Sequence, residues 1–126
     1  MHTAKINNVM DRIKTVDDVL YNNGLTPEAF GQYTRWLKDD EMSYIILKLV
    51  VKSLNEGWVP NWDDDSQGKY YPWFYMEGGY SGFRFREYAY WYSYSSVGSR
   101  LCFKSRELAE YAGRQFIDVY KRFMII

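Results

Sequence analysis

The sequence predicts an α+β fold: N-terminal helices, then a three-stranded antiparallel meander, then a C-terminal helix packed on the sheet. Three observations point there. Residues 70–94 read YYPWFYMEGGYSGFRFREYAYWYSY, 13 aromatics in 25 positions, and aromatic side chains favour a pleated, half-buried surface. Before that stretch, apolar residues recur at helical spacing between capping and stop signals. After it, residues 105–126 return to the same helical period.

Thr3 to Lys14 sets Ile6, Val9, Met10 and Ile13 on one helical stripe, with Thr3 as N-cap. Thr15 caps a second, short helix from Val16 to about Tyr21, stopped by Asn22-Asn23-Gly24. Thr26-Pro27-Glu28 restarts the chain with a capping hydroxyl, a proline at the first helical position and an acid in the positive first turn. That third helix is expected to carry Phe30, Tyr33 and Leu37 inward and to end near Lys38. Asp39 or Asp40 opens a fourth, running to about Asn55 with Gly57 behind it. Its stripe is Met42, Ile45, Ile46, Leu49, Val50 and Leu54.

Trp58 to Lys69 is a loop marked by Pro60, three aspartates and Gly68. The first strand is placed at Tyr70 to Met76, where Pro72 fits only an edge or a bulge. Gly78-Gly79 and Gly82 turn the chain into a long strand, Phe83 to Tyr94. Ser95 to Ser99 turns it into a short third strand, Arg100 to Lys104. Ser105 caps the final helix, whose stripe is Leu108, Ala112, Phe116, Val119 and Phe123. Ala109, Ala112 and Gly113 imply a close approach of that helix to the sheet.

In the long strand the side chains alternate between faces. Odd positions supply Phe83, Phe85, Glu87 and Trp91, the better core face. Even positions supply Arg84, Arg86, Tyr88, Tyr90, Tyr92 and Tyr94, two cations followed by a tyrosine ladder. Twelve residues is long for a strand, so a bend or bulge is expected near Glu87. The expected shared core is Phe83, Phe85, Trp91, Leu101, Phe103, Leu108, Ala112, Phe116 and Leu49.

At 126 residues, 47% of them apolar and 25% charged, the chain is expected to form one domain, 1–126. Residues 1–57 are its helical part and 58–126 its sheet and last helix. No apolar run approaches the ~20 residues of a membrane span. The N-terminus lacks the charged and apolar segments of a signal peptide. A single cysteine fits a reducing cytoplasm. Net charge is zero, with 7 Lys+Arg against 11 Asp+Glu in residues 1–65 and 9 against 5 in the rest.

Residues 55–74, NEGWVPNWDDDSQGKYYPWF, and residues 98–126, GSRLCFKSRELAEYAGRQFIDVYKRFMII, resemble a family of small uncharacterised proteins encoded by bacteriophages and prophages of Bacteroides-type gut bacteria. TVDDVLYNNGLTPEAF fits it as well. The resemblance implies a phage or mobile-element origin and a cytoplasmic setting inside the host cell. It transfers no activity and no site residue.

Catalytic chemistry finds few groups. With His2 the one histidine and Cys102 the one cysteine, no ordinary zinc site and no histidine-based triad can be assembled. Cys102, between Arg100 and Lys104 on one strand face, has either a lowered thiol pKa or the role of a small hydrophobe. Asp63, Asp65, Gln67 and Gly68 match the opening of a calcium loop, but the twelfth position is Phe74, so an acidic turn fits better. Glu77 and Glu87 resemble a glycosidase acid pair without a deep cleft; Glu87 equally suits a bulge or an arginine partner. No enzyme, cofactor or metal is expected.

Gly82 to Tyr88 keeps the glycine and three aromatics of the RNA-recognition strand motif but lacks its other positions, and the element order differs. The expected function is therefore a non-catalytic binding module, with the aromatic sheet face contacting a protein or a second copy. The alternative is single-stranded nucleic-acid binding through the Arg/Tyr face. Sugars also pack on such rings, and the competing reading is a sheet face simply covered by the N-terminal helices. Candidate binding residues are Arg84, Arg86, Tyr88, Tyr90, Tyr92 and Tyr94, with Trp58 and Trp62 as the second surface.

Overall fold

The computed structural model describes residues 8–126. Thr3 and Ile6 lie outside that range, so the first helix is seen only as α1, Val9–Arg12, capped by the Asn8 side chain accepting from the Met10 N–H. Helix α2 (Val16–Asn22) opens on a reciprocal capping box between Thr15 and Asp18. Helix α3 (Pro27–Thr34) opens on Thr26. It ends earlier than its apolar pattern suggested, where the Thr34 hydroxyl bonds back to the Phe30 carbonyl at 2.8 Å. Phe30 is buried, but Tyr33 is 78% exposed and Leu37 36%. Both expected inward positions are corrected: Tyr33 lies on the solvent side of α3, and Leu37 lies beyond its end.

Helix α4 (Asp39–Asn55) is the central rod. Lys38, not an aspartate, is its N-cap residue, and the Glu41 carboxylate accepts the Lys38 N–H at 2.8 Å. Its buried arc is Ile46, Leu47, Val50, Val51 and Leu54, with Met42, Ile45 and Leu49 at the margin. The arc is rotated from the expected stripe because α4 packs against both α2 and the last helix. Glu56 and Gly57, both at positive φ, end it.

Among the described residues the sheet has two strands, not three. Strand β1 (Lys69–Tyr75) and β2 (Arg84–Trp91) are antiparallel, joined through Gly78 and Gly79 at positive φ and a helical turn, α5 (Gly79–Gly82). The expected third strand is a 3-10 turn, Ser99–Leu101, followed by one bridge in which Phe103 and Tyr70 exchange both backbone hydrogen bonds. Two groups stop it from growing. Pro72 has no N–H to offer the same edge of β1. On the other side, the Asn55 side chain takes the strand partner's place: Nδ2 donates to the Cys102 carbonyl and Oδ1 accepts the Lys104 N–H, each at 3.0 Å.

The β2 register slips between Trp73 opposite Glu87 and Phe74 opposite Phe85, leaving Arg86 as a bulge. That bulge was expected; its effect on the faces was not. It returns Phe85 to the side of Phe74, Tyr88 and Tyr90, while Trp91 lies on the opposite side against Tyr71, ring centroids 4.8 Å apart. Phe85 is half-buried against α6 at Gly113 and Trp91 is half-buried on the opposite side, and neither belongs to the main core.

The final helix is two. Helix α6 (Arg106–Gln115), capped by Ser105, crosses both strands, and α7 (Ile117–Met124) turns onto α4. They pivot at Phe116, whose ring is 3% exposed. Around it Leu47, Val50, Phe103, Leu108, Ala112 and Val119 form the core.

Candidate binding site

Two surfaces carry the candidate residues, and the bulge at Arg86 decides how much of the first survives. Tyr88 lies under α6, half-buried, with the Arg106 guanidinium 5.5 Å from its ring centre. It stands beside Tyr70, at 6.0 Å, and stacks on Tyr90 at 6.4 Å, so it is the covered rung of the ladder. Its cover is α6, not the N-terminal helices. Tyr90, Tyr92 and Tyr94 remain open at 49%, 44% and 85% exposure. Tyr90 and Tyr92 meet edge to face at 5.6 Å.

The backbone groups of Tyr88 and Tyr90 have no partner among the described residues. Tyr70 spends its N–H and C=O on Phe103. In an antiparallel ladder that direction alternates, so Tyr90 and Tyr88, opposite Tyr70 and Pro72, turn their own groups to the outer edge. Arg84 and Arg86 do not flank the rings as free cations. The Arg84 guanidinium sits 4.1 Å from the centre of the Tyr75 ring, and Arg86 is ion-paired with Glu87.

The second surface is a cleft of about 520 Å³ between α4, the loop after it and the 3-10 turn. Trp58 and Trp62 line it together, joined by Val51, Val59 and Pro60. Lys48 and Lys52, four apart on α4 and so on one helical face, stand at it with Arg100. No carboxylate lines the cleft, and none of the three cations has an ion-pair partner among the described residues. Trp62 is held from behind: Lys69, fully buried, places Nζ 5.0 Å from its ring centre while donating to the Asp64 carbonyl. Lys48, Lys52 and Arg100 were missed in the sequence. Their spacing was visible, but only tertiary contact brings them to the tryptophans.

Cys102 lines the same cleft yet is buried, and burial pushes its thiol up to about 11. Cys102 thus fills the place of a small hydrophobe, and Arg100 and Lys104 do not share a strand face with it, because a 3-10 turn replaces the strand. The aspartate loop is closed by its own side chains: the Asp64 carboxylate accepts from the Ser66 N–H and hydroxyl, and Gln67 Oε1 accepts the Asn61 N–H. The two serine bonds lower the Asp64 pKa. Among the described residues no cluster of three His, Cys, Asp or Glu could hold a metal. No described helix is long and apolar enough to cross a membrane. No family model matches the chain, and no curated protein or solved structure matches it either.

Proposed function

We propose that the chain is a non-catalytic binding module that contacts protein through the edge of β2 and its exposed tyrosines, a second copy being the partner this edge fits best. The observation that carries this reading is the coincidence of open rings at Tyr90, Tyr92 and Tyr94 with outward backbone groups at Tyr88 and Tyr90. An unpaired edge is a template for another strand. Two-fold antiparallel pairing about Tyr90 sets Tyr88 of one copy opposite Tyr92 of the other, so aromatic meets aromatic and no like charges face each other. The bulge at Arg86 limits that pairing on one side. Nucleic acid suits this face less, because Arg84 and Arg86 are already engaged.

Sedimentation velocity over rising concentration, at low and high salt, tests it. A reversible dimer that barely responds to salt is the expected result. Tyr90→Ala with Tyr92→Ala should abolish the dimer while stability stays within ~0.5 kcal/mol, as for other surface changes. A monomer at every concentration overturns self-association, and a dimer that survives the double substitution puts the contact elsewhere.

A further inference from the structure

We infer that the cleft between α4 and the Trp58–Trp62 loop binds a nucleoside phosphate, the ring against the tryptophans and the phosphate among Lys48, Lys52 and Arg100. Its volume, about 520 Å³, falls within the roughly 300–1,000 Å³ of small-ligand sites. An apolar floor with a few convergent polar groups is the usual make-up of such a site. Here those groups share one sign: three cations without an ion-pair partner among the described residues, and no lining acid. Lys48 rests its Nζ 5.4 Å from the Tyr44 ring centre, which leaves Lys52 and Arg100 as the freer pair. That charge selects an anion. The two indoles add a stacking surface, and a base stacked on an aromatic ring is held by ~1–3 kcal/mol. Lys69 behind Trp62 sharpens the choice, since a ring with a cation on one face disfavours a cationic ligand on the other.

Free nucleotide and the end of a single strand share this chemistry, and the test separates them. AMP, an oligothymidylate, inorganic phosphate and phosphotyrosine are titrated by calorimetry against the wild-type chain and against Trp58→Ala, Lys52→Gln and Arg100→Gln. Lys52 and Arg100 are exposed, so those two variants should fold even if Trp58→Ala does not. Saturable AMP binding, weakened at least about tenfold by Lys52→Gln or Arg100→Gln, is expected. An oligothymidylate binding tighter than AMP, with steep salt dependence, assigns the site to a strand; equal or weaker binding assigns it to free nucleotide. Four results overturn the inference: AMP does not bind at millimolar concentration, phosphotyrosine outcompetes it, inorganic phosphate binds as well, or neither charge substitution matters.

Discussion

Gly113 on α6 lies against the ring of Phe85 on β2: a Cβ at that position would stand 2.6 Å from Phe85 Cδ1 and 2.7 Å from Pro72 Cβ. Neither neighbour is the loose end of a flexible chain. Gly113→Ala should therefore destabilise by about 1–3 kcal/mol, the usual range for overpacking. Helix propensity alone would instead give a gain of ~1 kcal/mol. Urea denaturation decides between the two signs, and a raised midpoint would show that helix and sheet are not held this close.

The closeness of this contact was legible in the sequence because it is written locally, as Ala109, Ala112 and Gly113 on one helical face. The caps at Thr15, Thr26 and Ser105 were legible for the same reason, each being a hydroxyl a few residues from the amide it binds. The β2 faces were not. Strict alternation from Phe83 to Tyr94 assumes no inserted residue, and the slip at Arg86 moves Phe85 to the other side. The third strand failed on a long-range event: Asn55, read as the end of a helix, supplies the hydrogen bonds a neighbouring strand would have made. The cleft failed likewise, since Lys48, Trp62 and Arg100 lie far apart in the chain and meet only through packing.

Asn55 gives the second prediction. Its side chain is buried, and its amide is the partner of both the Cys102 carbonyl and the Lys104 N–H. Asn55→Ala leaves both groups without it, at roughly 1–3 kcal/mol for each one that stays buried. Asn55→Asp can still accept from Lys104 but cannot donate to Cys102, so it should retain part of the contact. Amide hydrogen exchange at Lys104 provides the site-specific readout: faster in the alanine variant, still protected in the aspartate one. Unchanged protection in both would refute the assignment.

Phe116 is the pivot between α6 and α7, and its ring is 3% exposed in the middle of the core. Phe116→Ala should cost about 3–5 kcal/mol, a large share of the stability of a domain this size. The loss should appear as one cooperative transition at lower denaturant, because α6 covers the sheet while α7 covers α4. A denaturation midpoint equal to that of the wild type would mean that the last two helices are not docked as described.

Tyr120 is the reverse case, a residue whose polar atom is a liability. Its ring packs 4.9 Å from Phe74, yet its hydroxyl is buried with no hydrogen-bond partner among the described residues. Tyr120→Phe removes that unsatisfied group and keeps the ring, so stability at pH 7 should be unchanged or higher by ~1 kcal/mol. The same burial raises the phenol pKa above its ordinary value of about 10. The folded chain then keeps a proton that the unfolded chain has already lost, and stability falls as pH rises past the unfolded value. Tyr71, raised to about 12 by burial, and Cys102, raised to about 11, act in the same direction. Stability measured from pH 8 to pH 11 should decline in the wild type and decline less steeply in Tyr120→Phe, with the remainder left to Tyr71, Cys102 and Tyr111, whose phenol pKa burial also raises. A phenylalanine variant clearly weaker at pH 7, or one with an identical alkaline slope, would show that the hydroxyl is bonded or exposed after all.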